Sequence, residues 1–238
     1  MKAFAAKYPL AFGALLFFAA LLAAGLITAV LGSVGFEAGL ASAIARLIVA
    51  LALLALFRSC FAWEHSFTGI RWVLPALIFV AWNVVYQLSS GMGALTPDLA
   101  AALVMGLAPA LFEETVFRGI VIGKLREKGA GLWYSLFGSA VLFSAVHLTN
   151  IVGMDLPSLL VQLGYSLVIG LFLGAVYLKT ADIASVVLAH AAVDISNQLF
   201  LEHPTTASTP MLIVFCVVLV LATAYALWIA RGIEAKQA

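Results

Sequence analysis

The stretch Phe112-Glu113-Glu114-Thr115-Val116-Phe117-Arg118-Gly119 places three charges inside an apolar run from Leu99 to Leu125. Charge at membrane depth is costly and marks a pathway, a partner or a catalytic centre. On a helix, Glu114 and Arg118 are four apart on one face, with the acid N-terminal to the base, the orientation that favours pairing. Glu113 is turned by about 100° from Glu114, so one arginine does not readily satisfy both. The spacing predicts one carboxylate neutralised by Arg118 and one left over for chemistry. Two further pairs have helical spacing, Phe143 with His147 and His190 with Asp194, and Asn197 continues the second stripe.

A carboxylate beside a histidine can activate water as a general base. Histidine with aspartate can orient water, hold a developing oxyanion or ligate a divalent metal. No serine or cysteine shares the spacing of these groups, although Ser144 and Ser196 are near. Hydrolysis by water is therefore favoured over a covalent nucleophile. Polar groups at membrane depth also require a water-filled cavity open to one side.

These residues are carried by an unusually apolar chain. Of 238 residues, 65% are hydrophobic and 10% charged, where a soluble domain has about 45–50% and about 25%. The reading is an all-α integral membrane protein, a single domain over residues 1–238. Eight apolar segments can be drawn, at about 9–31, 38–57, 72–89, 98–123, 132–149, 157–178, 182–200 and 210–230, most near the roughly 20 residues that a spanning helix needs. The run from Leu10 to Leu31 exceeds the roughly 7–15 residues of a signal-peptide core and reads as a retained helix. A net charge of +1 gives no reason to expect a nucleic acid partner. Cys60 and Cys216, far apart in apolar surroundings, form no disulfide or metal pattern.

The charges orient the segments. Ten of the twelve basic residues fall on one side of the eight-segment arrangement, and the opposite loops contain Glu37, Asp98, Asp155 and Glu202 without lysine or arginine. By the positive-inside rule both termini are cytoplasmic. At about 1.5 Å per residue from each cytoplasmic end, Glu113 lies about 15–18 Å deep, His147 about 22 Å, His190 about 12 Å and Asp194 about 18 Å. All four can share one layer near the bilayer midplane.

The sets Glu113-Glu114-x-x-x-Arg118, Phe143-x-x-x-His147 and His190-x-x-x-Asp194, in that order and each in its own segment, resemble the three motifs of the CPBP family. That family comprises CAAX prenyl endopeptidases and bacterial relatives described as ABI or bacteriocin-processing proteins. The resemblance covers residues 98–200, the motif-bearing core, and implies an intramembrane endopeptidase acting on a membrane-associated peptide or protein. It implies catalytic roles for Glu113 and His147 in activating water, with His190 and Asp194 at the oxyanion and Glu114, Arg118 and Phe143 in support. CAAX endopeptidases usually carry Asn at the last motif position, where this chain has Asp194. Family members are often labelled metalloproteases; if zinc is used, its candidate ligands are Glu113, His147, His190 and Asp194. The location implied is a bacterial inner membrane, with lipid as surroundings.

Other readings stand beside this one. The same fold could serve as a non-enzymatic immunity or interaction protein, or acidic and histidine residues could form a proton relay; the absence of inverted repeats counts against the relay. Asn83 and Gln87, four apart, read as interhelical hydrogen bonds. Trp63, Trp72 and Trp133 fit an interfacial belt, whereas Trp82 and Trp228 do not. Glu64, His65 and His203 read as solvated loop residues. Arg46 has no assignment.

Overall fold

In the computed structural model, residues 2–61, 66–91, 94–96, 98–200 and 208–235 are described. Every one of the eight apolar segments contains a helix. After a short helix α1 (Lys2–Lys7), they are α2 (Pro9–Ser33), α3 (Ala38–Leu56), α4 (Ile70–Ser89), α5 (Leu99–Glu127), α6 (Leu132–Val152), α7 (Leu156–Thr180), α8 (Ile183–Gln198) and α9 (Thr209–Glu234). No strand occurs among the described residues, only an isolated antiparallel bridge between Leu95 and Phe200. Among the described residues, seven of these eight helices α2–α9 are long and apolar enough to cross a membrane. The exception is α8, whose 16 residues extend about 24 Å against a hydrocarbon core of about 30 Å.

The loop acids turn out to be helix starters. Glu37 accepts from the N–H groups of Gly39 and Leu40 (2.8 and 2.9 Å), Asp98 from Ala101 (2.8 Å) and Asp155 from Ser158 (2.8 Å). Each satisfies N–H groups that the first helical turn leaves unpaired. Glu64, His65, Trp63, Glu202 and His203 lie outside the described residues.

α5 is the axis of the molecule. It begins as an α-helix and widens into a π-helix over Thr115–Ile122, all eight residues of which are buried. The regular α-helix expected through the Glu-Glu…Arg stretch is thus corrected: eight residues carry an i→i+5 pattern, a rare form frequent at functional sites. α3 and α8 pack along α5, while α7 packs against α6 and α9. Phe17 of α2 closes one flank, its ring 5.5 Å from that of Phe112 and 5.3 Å from that of Phe117.

The approach of α8 to α5 requires a glycine. A Cβ on Gly106 would stand 2.5 Å from Ile195 Cγ1, 2.7 Å from its backbone nitrogen and 2.9 Å from its Cα. Backbone cannot give way as a flexible side-chain end can, so only glycine permits this contact. On its other side α8 is held by Asn83 of α4, whose Nδ2 donates to Val193 O (3.2 Å) and Ser196 Oγ (2.9 Å). α8 is therefore fixed in rotation, with His190, Asp194 and Asn197 turned to one cavity.

The start of α8 is anchored by Asp182, which is 0% exposed. Its carboxylate accepts from Ser185 N (3.1 Å) and, across the chain, from Gly69 N (2.8 Å). Burial acts to raise its pKa, but these hydrogen bonds and that from the Ser185 hydroxyl outweigh it and hold the group below its ordinary value. The folded state then binds this proton more weakly than the unfolded chain. Its stabilisation is present above the unfolded value of about 3.9 and is lost as pH falls through the lower folded value. Asp182→Asn is expected to cost about 1–3 kcal/mol at neutral pH, and the gap to wild type should narrow in melting curves taken below about pH 4.

Candidate active site

Glu113 and Glu114 occupy the last α-helical turn of α5 before the π-helix. Their rotation separates them as the sequence geometry requires. Glu114 is 0% exposed, and its Oε1 accepts from Arg118 Nη1 at 2.8 Å and His190 Nδ1 at 2.8 Å. Glu113 points the other way, into a cavity, with its side chain 19% exposed.

Arg118 is a buried hub. Besides Glu114 it donates from Nη2 to the Gly170 carbonyl of α7 (3.3 Å), and its guanidinium lies 4.5 Å from the Phe143 ring centroid. One side chain thereby ties α5 to α6 and α7 through a charge-assisted hydrogen bond, a carbonyl and a ring face. Phe143 also packs edge-on against His147 (5.1 Å) and His190 (5.9 Å). It is the apolar plate against which both imidazoles and the guanidinium rest.

The hydrogen bonds assign the imidazole nitrogens. An ionised Glu114 carboxylate only accepts, so His190 Nδ1 carries a proton. His190 Nε2 then faces Glu113 Oε2 at 3.9 Å and Asp194 Oδ2 at 3.7 Å, within ion-pair range but beyond a direct hydrogen bond. His147 Nδ1 lies 2.8 Å from the Phe143 carbonyl, which again only accepts, leaving His147 Nε2 as the nitrogen free for a reacting partner. The helical geometry tightens to 3-10 at His147, which ends the α-helix at that residue.

Glu113, Phe143, His147, His190 and Asp194 line one cavity of about 490 Å³. Glu114 and Arg118 stand behind its wall. Asn83, Gln87 and Asn197 line it too, with Gln162 and Tyr165 of α7. The sequence reading missed its aromatic side: Trp82 stacks on Tyr86 (5.4 Å) and meets Phe215 of α9 (5.3 Å), which meets Tyr165 (5.9 Å). Trp82 departs from an interfacial belt because it forms this wall. The signal was present in its four-residue spacing from Tyr86, but Phe215 is remote in sequence.

Residues 94–196 match the family model described as type II CAAX prenyl endopeptidase Rce1-like. The matched core is similar to the CPBP family. The match supports a peptidase among the intramembrane proteases of that family, and it spans every motif residue from Glu113 to Asp194. No curated protein and no solved structure matches the chain.

The fit of this site to zinc can be tested by its donor geometry. Structural and catalytic zinc sites use three or four nitrogen, sulfur or oxygen ligands at about 2.0–2.3 Å. Among the described residues no three His, Cys, Asp or Glu side chains converge in that way. His190 Nδ1 is committed to Glu114, which leaves Nε2 as its one nitrogen able to ligate. As arranged, no three of the four candidate ligands converge on one ion position among the described residues.

Proposed function

We propose that this chain is an intramembrane endopeptidase that hydrolyses a peptide bond of a membrane-associated substrate with water activated by Glu113. The observation that carries the reading is the convergence of Glu113, His147, His190 and Asp194 on one cavity, backed by the buried Glu114–Arg118 pair. In this reading the whole chain is one membrane domain with eight crossings and both termini cytoplasmic, as the distribution of Lys and Arg favours. It resides in a bacterial inner membrane.

The chemistry follows from the nitrogen assignments. A water between Glu113 and His147 donates one proton to the Glu113 carboxylate and the other hydrogen bond to His147 Nε2. The hydroxide attacks the scissile carbonyl carbon, and the carbonyl electrons move to oxygen. His190, protonated at both nitrogens, donates from Nε2 to that oxyanion while Nδ1–H stays on Glu114. Asp194 keeps the imidazolium charged and turned toward the cavity. Collapse of the tetrahedral intermediate breaks the C–N bond, and Glu113 returns its proton to the leaving amine. No step passes through a metal.

The test is cleavage of bilayer-embedded peptides by the purified chain in liposomes, read by mass spectrometry before and after exhaustive treatment with EDTA. The expected result is new peptide termini in both samples, with elemental analysis showing no stoichiometric zinc. Absence of cleavage under all conditions would overturn the peptidase reading and favour a non-enzymatic binding role. Activity lost to EDTA and restored by zinc would overturn the metal-free mechanism.

A further inference from the structure

The helices around the reaction cavity line it over one end of their length. α4 does so within residues 82–87, close to its C-terminus, and α8 within 190–197, close to its own. α7 does so within 158–169, its first half, and Met154 stands in the turn just before it. Phe215 comes from the first turns of α9. In a bundle of alternating crossings, the ends of α4 and α8 and the starts of α7 and α9 lie on the same side. The cavity therefore runs from that side down to the catalytic layer. A second cavity, of about 290 Å³, borders it across Asp194 and Asn197 and is lined also by Arg46. It reaches the same side, at Gly39 near the start of α3 and Gln198 at the end of α8.

Toward the other side the same helices close. Thr115–Ile122 of α5 is buried throughout, and so is the unbroken run from Ile169 to Tyr177 on α7. Val186 and Val187 of α8 and Leu136 and Ala140 of α6 are buried at the same level. The eight residues of the α5 stretch alone make a plug about 12 Å thick. Met154, by contrast, is exposed where it meets the cavity. Water that reaches Glu113, as a polar site at membrane depth requires, comes from the Met154 side.

Charge assigns the two sides to compartments. The connecting segments on the open side, residues 34–37, 90–98, 153–155 and 199–208, contain four acids and no lysine or arginine. The basic residues that flank helix ends all lie on the plugged side. That asymmetry places the plug toward the cytoplasm. We infer that the cavity opens to the extracytoplasmic face and receives polypeptide presented from there, an exported or leader-anchored chain rather than a cytosolic one. This deepens the peptidase reading and rests on it for the identity of the substrate. The α7 lining from Ser158 to Ile169 is about 16 Å long, which an extended chain covers in about five residues. A folded domain stops at the mouth. The bond that is cut thus lies in an unfolded stretch of the exported chain, beside the aromatic wall of Trp82, Tyr165 and Phe215.

The experiment uses the full chain in the cytoplasmic membrane of a bacterial host. Spheroplasts expose the outer face of that membrane and inverted vesicles the inner one. Cys60→Ala and Cys216→Ala remove the native thiols, and single cysteines are then placed as Met154→Cys at the mouth, Ser166→Cys near the catalytic layer and Lys128→Cys at the plugged side. A charged, membrane-impermeant thiosulfonate should modify the first two in spheroplasts only and Lys128→Cys in inverted vesicles only. Two cavity positions keep the test decisive where one variant fails to fold. A second arm gives both preparations of the wild-type chain an internally quenched peptide of about ten residues, twice the length that spans the cavity. It is built of alanine, leucine and valine with a lysine at each end, and Glu113→Gln serves as the blank. Cleavage should appear in spheroplasts and be lost in inverted vesicles. Modification of the cavity cysteines from the cytoplasmic side, or cleavage confined to inverted vesicles or equal in both, would overturn the outward opening and keep the peptidase. Labelling from outside with no cleavage in either preparation keeps the outward opening and removes the peptidase.

Discussion

Arg118→Leu should destabilise the folded protein by about 3–5 kcal/mol, the largest loss expected from a single change in this chain. The magnitude is that of breaking a buried ion pair from one side. Arg118 and Glu114 are both fully buried, and their 2.8 Å contact carries the guanidinium's charge. Removing the arginine leaves the Glu114 carboxylate in the core with only His190 to answer it, and frees the Gly170 carbonyl and the Phe143 ring as well. Removing both charges together should cost less than removing one, because no lone ion remains. Melting in detergent of Arg118→Leu, Glu114→Leu and the double variant checks this. A double variant as unstable as Arg118→Leu would contradict it. Activity should not follow stability back, since Glu114 also anchors His190 Nδ1.

Glu113→Gln should behave in the opposite manner. The amide preserves shape but cannot take a proton from water, and general-base catalysis is worth about 10²–10⁴ in rate. Stability should hardly change, for Glu113 faces the cavity and its nearest charged neighbour in the site is His190 at 3.9 Å. Adjacent glutamates are thus expected to separate by role, the cavity-facing one setting rate and the buried one setting structure. Cleavage kinetics and melting measured on the same preparations distinguish them.

Much of this arrangement can be read from residue spacing. A turn of about 100° between neighbours already parts Glu113 from Glu114, and an i,i+4 step already joins Glu114 to Arg118 and aligns His190 with Asp194. Apolar runs of spanning length are equally plain, and helices occupy all eight. The length of α8 is less legible, because its two ends are set by the Asp182 cap and by the Thr96–Leu199 backbone contact rather than by a change in composition. The π-helix in α5 escapes a periodicity reading, since it depends on packing around a fully buried stretch. Contacts between distant segments leave the weakest trace. His190 on Glu114, Asn83 on Ser196, Phe215 on Trp82 and Arg46 beside the Asp194 chamber each join residues that only the folded chain brings together.

The most direct test of the central claim is single-turnover cleavage of a liposome-embedded peptide in ¹⁸O-water by the wild-type chain beside Glu113→Gln. Glu113-activated water predicts one ¹⁸O in the new carboxylate of the wild-type product and essentially no product from a Glu113→Gln protein that melts normally. Labelled product formed by Glu113→Gln at the wild-type rate would contradict it.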